Sequence, residues 1–181
     1  DLAELAAARD FSEQQLSQTG FLAKSVASPH EDPVTFAVNA AKPILNNYDK
    51  NDFELLIVAT ESAVDFGKPI SSYVHRFLNL PDRCRNFEVK HACYSGTAAL
   101  QMAKSWVQSQ PNKKALVIMT DFSRRHFIAD QEGNIQGNLA ELTGGTAAVA
   151  MVVSAEPKML AFDNYTGCAS MEVFDVARPN I

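Results

Sequence analysis

Val89-Lys90-His91-Ala92-Cys93-Tyr94-Ser95-Gly96-Thr97-Ala98-Ala99-Leu100-Gln101-Met102-Ala103 joins two different hydrophobic periods. Upstream, Arg85-Asn86-Phe87-Glu88-Val89-Lys90 alternates polar and apolar, which predicts a strand. Downstream, small residues followed by Leu100, Met102, Ala103, Trp106 and Val107 predict a buried helix. Cys93 is therefore expected at a strand-to-helix turn, beside the unpaired N–H groups of the helix's first turn. Those groups and the helix dipole favour a thiolate, which lowers a thiol pKa. They also suit an oxyanion on a thioester carried by that sulfur. Ser95, Gly96 and Ala98 are small enough to let a substrate approach the backbone. A lone cysteine at a helix start is more often a packed apolar residue, so position alone leaves catalysis and packing both open.

The neighbouring segments set this turn in an α/β frame. Phe53-Glu54-Leu55-Leu56-Ile57-Val58-Ala59 and Ala115 to Met119 are short, nearly continuous apolar runs, as expected of strands buried on both faces, and Thr146 to Ser154, with Ala147 to Val153 at its centre, is expected as a further apolar strand. Arg85 to Lys90 is expected as another internal strand, and Lys158 to Asp163 as a strand pairing beside the last run. Helices are expected at the start of the chain with Asp1 as N-cap, after Ser12 through a capping box with Gln15, and after Asp32-Pro33. A fourth is expected over Ile70 to Leu78. Pro43 is expected to kink or shorten the third helix. Gly20 to Glu31 is irregular and reads as a connection. Phe122 to Gly145 is long, polar and glycine-containing, which suggests a flap. Alternation of strand and helix predicts an α/β layered domain with a largely parallel sheet.

Composition narrows the function classes. The chain has 181 residues, 46% of them hydrophobic, enough for one domain with a real core. A net charge of −5 and the lack of a basic cluster argue against nucleic acid as a partner. No apolar run is long enough to span a bilayer. The three cysteines, Cys84, Cys93 and Cys168, show neither metal-ligand spacing nor a disulfide framework, so a reduced cytoplasmic protein without a metal is expected. Cys84 and Cys168 have no reactive context. Glu61 follows the Phe53 to Ala59 strand, at the end where α/β proteins place ligands. Buried near a cysteine it would suit general acid/base work; as an ordinary capping or surface carboxylate it would not. His75 lies within a helix and reads as structural, and His91 has no settled role.

Three separated words now carry a resemblance: Ala59-Thr60-Glu61-Ser62-Ala63-Val64-Asp65, Ala92-Cys93-Tyr94-Ser95-Gly96-Thr97-Ala98 and Val149-Ala150-Met151-Val152-Val153-Ser154-Ala155-Glu156-Pro157. They resemble the 3-hydroxy-3-methylglutaryl-CoA synthase family of the thiolase superfamily, and the likeness includes Asn39-Ala40-Ala41-Lys42 and Arg178-Pro179. Glu31-Asp32-Pro33-Val34-Thr35-Phe36 and Val64-Asp65-Phe66-Gly67-Lys68 are similar to the branch that installs β-branches on polyketides and takes acyl groups from carrier proteins. The resemblance implies a thiolase-like layered fold, with residues 1–181 forming its N-terminal half and the family's first strand and C-terminal half lying outside the chain.

The implied chemistry is acyl transfer and carbon–carbon condensation. Cys93 would carry an acetyl group, Glu61 would act as general acid/base, and Tyr94, Ser95, Gly145 and Thr146 would contact substrate. No bound cofactor is implied; the acyl groups ride on the phosphopantetheine of donor and acceptor acyl carrier proteins. The alternatives are the mevalonate-pathway synthase, using acetyl-CoA and acetoacetyl-CoA, and a non-catalytic scaffold half. The family's catalytic His belongs to the second half, so none of His30, His75, His91 and His126 takes that role. Ser123-Arg124-Arg125-His126-Phe127 departs from the family where it has an aromatic substrate contact, and Gly145-Thr146-Ala147-Ala148 departs from its Gly-Ala-Gly-Ala. A half fold would expose an apolar face, so a second half and a homodimer are expected as partners. Arg83, Arg85, Arg124 and Arg125 are candidates for docking an acidic carrier helix, or ordinary solvated charges.

Overall fold

The computed structural model describes residues 1–122, 128–129, 135–136 and 139–171. Its centre is a four-stranded mixed sheet in the order β2-β1-β3-β6. β1 (Phe53–Ala59) runs parallel to both β2 (Arg85–Val89) and β3 (Lys114–Asp121). β6 (Ala147–Val153) is antiparallel to β3, with Asp121 opposite Ala147 and Ala115 opposite Val153. The largely parallel sheet is as expected from the alternating pattern, and β1 and β3 are the buried strands.

Two expectations about strands need correction. β2 is an edge strand, not an internal one, and Arg85 and Phe87 on it are exposed. Its alternating pattern, unlike the solid apolar runs of β1 and β3, is what a half-buried edge requires. Lys158 to Asp163 forms no strand; it is irregular and exposed, because its apolar residues Met159, Leu160 and Phe162 find no sheet face to cover.

The helices begin where their caps put them. Asp1 caps α1 (Leu2–Ala8), and Ser12 with Gln15 forms a complete capping box on α2 (Glu13–Thr19). Asp32 caps α3 (Pro33–Leu45), which runs through Pro43 and ends two residues later. α4 (Ile70–Leu78) stops at Asn79, whose φ of 50° is left-handed. α3 and α4 cover one sheet face with Val38, Ala41, Val74 and Leu78 against Phe53, Leu56, Val58, Leu116 and Ile118. On the other face α5 (Ser95–Ser109) packs Ala99, Ala103 and Val107 on Leu55, Ile57, Ala115 and Val117. The small residues of α5 bring its axis close to the sheet, and Met102 stays exposed. Of the suggested flap, the described parts are a two-residue ladder of β4 (Ile128–Ala129) with β5 (Ile135–Gln136) and the short α6 (Leu139–Thr143). Leu142 joins Leu2 and Ala6 in a separate small cluster.

At the end of the sheet where β1 and β3 begin, Lys113 and Arg83 both pair with Glu54, at 2.7 and 3.2 Å, and Lys114 pairs with Asp52 at 2.6 Å. The strands β1, β2 and β3 all point away from this end, toward the candidate site.

Candidate functional site

Glu61, Cys93 and Asp121 come from the ends of β1, β2 and β3, and parallel pairing gathers them at one edge of the sheet. The chain leaves β2 through a single 3-10 turn, Ala92–Tyr94, and enters α5 at Ser95. Cys93 is exposed in that turn, as the strand-to-helix junction requires. Ala92 has a φ of 44°, a left-handed conformation that costs an L-residue about 1 kcal/mol or more. Its N–H donates to Glu61 Oε1 at 2.5 Å. The candidate acid/base and the backbone of the candidate nucleophile's turn are thus in direct contact.

Of the buried and surface placements left open for Glu61, the structure shows a partly exposed one. Its side chain is 31% exposed, and Lys90 Nζ lies 3.7 Å from Oε2. Its backbone is fixed from below by Asp121: Oδ1 accepts from Glu61 N–H at 2.8 Å, Ser62 Oγ at 3.0 Å and Thr60 Oγ1 at 3.2 Å. Ser62 Oγ in turn accepts from Phe122 N–H at 2.9 Å, and Thr60 N–H donates to Val89 O at 3.1 Å. Sequence reading assigned Asp121 no role. The available signal was an acidic residue closing a buried apolar strand beside Glu61's own strand.

Gly96 brings α5 down onto β3. A Cβ there would lie 2.8 Å from Met119 Sδ, so the first turn of α5 can reach this depth only without a side chain at 96. Ser95, which opens α5, is buried at 6% exposure. Tyr94 remains at the surface, with its ring edge-to-face on His91 at 5.1 Å and its hydroxyl donating to Gln101 Oε1 at 2.8 Å.

Gly145 and Thr146 do not join Cys93 directly. They precede β6, and β1 and β3 lie between β6 and the strand that leads to Cys93. Thr146 is buried and tied to the segment before α3: its N–H donates to Ser25 Oγ at 3.0 Å, and its carbonyl accepts from Ser25 Oγ at 2.5 Å. Residues 20–31 are therefore more than a plain connection. His75 Nε2 lies 3.0 Å from Pro81 O, a structural contact, and His30 is exposed. His126, Arg124, Arg125 and the Ser123 to Phe127 departure lie outside the described residues, as do Arg178 and Pro179. Arg83 and Arg85 stand at the opposite end of the sheet from Cys93, and Arg83 is engaged with Glu54. Cys84 is buried, which pushes its thiol pKa up to about 12, helped by the Glu54 charge and opposed by Arg83.

No family model matches the chain. The polyketide biosynthesis 3-hydroxy-3-methylglutaryl-ACP synthase PksG of Bacillus subtilis (strain 168) is 44% identical over 188 aligned residues, covering 99% of this chain and 44% of PksG. A hydroxymethylglutaryl-CoA synthase of Enterococcus faecalis is 40% identical over 149 residues, covering 82% of this chain and 37% of that protein. Among solved structures, PksG superposes with a TM-score of 0.75 over 87% of this chain and 37% of its own. The HMG synthase of the curacin biosynthetic pathway in complex with holo donor-ACP also gives 0.75, at 44% identity over 87% of this chain and 38% of its own. MvaS in complex with 3-hydroxy-3-methylglutaryl coenzyme A gives 0.78 at 33% identity, over 91% and 38%. The chain spans less than half the length of these relatives. By sequence and by fold alike, the chain belongs with the 3-hydroxy-3-methylglutaryl synthase family of thiolase-like fold, matching the N-terminal portion of that fold.

Proposed function

We propose that the protein carrying this chain is an HMG synthase-type acyltransferase of polyketide β-branching, which condenses an acetyl thioester with a β-ketoacyl thioester on an acyl carrier protein. The observation that carries this reading is Cys93, exposed on the turn whose Ala92 N–H is held by Glu61. The Cys93 thiolate attacks the acetyl carbonyl and expels the carrier's thiolate, leaving acetyl-Cys93. The Glu61 carboxylate takes a methyl proton, and N–H groups around the turn stabilise the enolate oxygen. The enolate carbon bonds to the β-carbonyl of the second acyl group, whose alkoxide takes a proton from Glu61. Water then hydrolyses the Cys93 thioester and frees the thiol.

The similarity to a 3-hydroxy-3-methylglutaryl-ACP synthase, and to a synthase seen with donor-ACP, supports carrier proteins as the acyl donors and partners. Tyr94 at the rim supports a substrate contact there. The apolar face around α5, with Met102, Phe87 and Val149 exposed, supports a second half of the fold packed on it and a homodimeric assembly. The reaction needs no metal or resident cofactor, and a cytoplasmic location suits it.

The test is intact mass of the full-length protein after incubation with acetyl-carrier protein, and with acetyl-CoA in parallel. One acetyl group on Cys93 from the carrier protein, lost in C93S, is the expected result. Equal or better loading from CoA favours the mevalonate-type synthase, a reading supported by the likeness to the Enterococcus faecalis enzyme. No loading from either leaves a non-catalytic half.

A further inference from the structure

Lys90 stands beside the carboxylate that carries the proton transfers, and its place there is set by the backbone. β1 and β2 pair in parallel register as far as Ala59 and Val89, and Thr60 N–H extends the ladder with a 3.1 Å bond to Val89 O. Adjacent strands lie about 5 Å apart, so the residues just past the ladder, Glu61 on one side and Lys90 on the other, are neighbours before their side chains are considered. Glu61 is fixed further by its own N–H on Asp121 Oδ1 at 2.8 Å. Lys90 Nζ then lies 3.7 Å from Glu61 Oε2.

The two oxygens of this carboxylate are held differently. Oε1 accepts the Ala92 N–H at 2.5 Å, a full hydrogen bond. Among the described residues the partner of Oε2 is the Lys90 ammonium, and 3.7 Å is beyond hydrogen-bond length. A charge at that distance attracts the oxygen without occupying its lone pairs, so Oε2 keeps a free position for a proton. Lys90 and Ala92 both belong to the junction between β2 and α5 that carries Cys93. One short segment therefore presents the nucleophile and holds both oxygens of the acid/base. With side chains 68% and 31% exposed, the ion pair is screened by water and adds little to stability, which separates its effect on the reaction from any effect on folding.

We propose that Lys90 is a positioning residue for Glu61: its charge fixes Oε2 as the oxygen that takes the methyl proton of acetyl-Cys93 and later gives it to the alkoxide. This role rests on the acyl-transfer function proposed above. In the first transfer the proton passes from the methyl carbon to Oε2, and the C–H electron pair enters the enolate. In the second the O–H pair stays on Oε2, and the proton goes to the alkoxide oxygen. Lys90 keeps its own protons throughout. Two effects of an ammonium oppose each other here. It disfavours protonation of a neighbouring carboxylate, which slows the first transfer, but only a fraction of that difference is felt in the transition state. It also holds the accepting oxygen in one place, and misplacement of a reacting group is felt in full. Orientation is therefore the larger effect.

The experiment loads the full-length protein from acetyl-carrier protein in D2O, without the second acyl substrate. Intact mass gives the rate of acetyl loading, and the acetyl-Cys93 peptide gives the rate at which its methyl group takes up deuterium. Lys90→Met keeps the stem and removes the charge. It is expected to lower the ratio of exchange to loading about fivefold, the size of an exposed ion pair's contribution, at an unchanged denaturation midpoint. Lys90→Arg is expected to restore most of the loss. An equal fall in both rates would make Lys90 a support of the fold. An unchanged ratio would leave it an ordinary solvated charge, and a raised ratio would show that its charge only opposes protonation of Glu61. Each of these three results overturns the proposal. A wild-type protein that does not load, or loads without exchange, would instead overturn the acyl-transfer reading beneath it.

Discussion

Gly96→Ala sets two opposite effects against each other at the base of the candidate site. Alanine is favoured over glycine by about 1 kcal/mol in a helix interior, and by at most that in the first turn, where Gly96 stands. Against that, the new Cβ would lie 2.8 Å from Met119 Sδ, 3.1 Å from Cε and 3.2 Å from Cγ. Ordinary carbon contacts start near 3.5 Å, so the sulfur must retreat by roughly 1 Å. Because Cγ is touched as well as the tip, the whole Met119 side chain must turn. Such overpacking costs about 1–3 kcal/mol, which leaves a net loss of about 1 kcal/mol. A double-mutant cycle isolates the contact. M119A alone is expected to cost about 2 kcal/mol as a large-to-small change in a half-buried position. In the M119A background the clash is gone, so G96A is expected to stabilise by up to about 1 kcal/mol. Urea denaturation midpoints of the four proteins measure the coupling. The same effect of G96A in both backgrounds would refute the close approach of α5 to β3 as the reason for glycine at this position.

Two further outcomes follow from the thiols and from one loop carboxylate. With iodoacetamide at about pH 8, Cys93 is expected to alkylate well before Cys84, whose thiol, near 12, is ionised in only about one molecule in 10⁴ at that pH; peptide mass mapping over time checks this, and equal rates would contradict the burial of Cys84. Asp65 Oδ1 accepts N–H bonds from Lys68 at 2.6 Å and Gly67 at 2.7 Å, which hold its carboxyl below the ordinary 3.8. The unfolded chain then binds the proton more readily, so this contribution to stability is present above 3.8 and is lost as pH falls through the lower folded value. The stability gap between wild type and Asp65→Asn is expected to narrow between about pH 5 and about pH 3, read from denaturation midpoints; a gap constant over that range would count against the two N–H bonds.

Much of the sheet was legible because β1, β3 and β6 are nearly continuous apolar runs, although β6 lies at an edge of the sheet and is only partly covered. Cap residues marked the helix starts for the same local reason: Asp1, Ser12 and Asp32 each satisfy an N–H within three residues. What escaped reading depends on long-range placement. The alternation in Arg85 to Val89 was the local sign of an edge strand, but nothing local tells that Lys158 to Asp163 has no sheet beside it. In the site, Cys93 and Glu61 were legible as residues following strands, whereas Asp121 acquires meaning only through a neighbour 60 positions earlier in the chain. The burial of Ser95 escaped reading because it follows from how the helix it opens packs on the sheet. The Ser25 clamp on Thr146 was invisible because both residues lie in segments with no periodicity.

The position of β1 between β2 and β3 has a consequence for the protein's birth on the ribosome. Phe53 to Ala59 is a nearly continuous apolar run, and both its edges are satisfied only by strands made later. β3 is completed about 60 residues after β1, so at about 5–20 residues per second the nascent chain carries an uncovered aggregation-prone segment for roughly 3–12 s. Synthesis order, rather than final stability, is then what exposes this domain to chaperones. Slowing translation just after Ala59 should lengthen that exposure, while slowing it after Val153 should not.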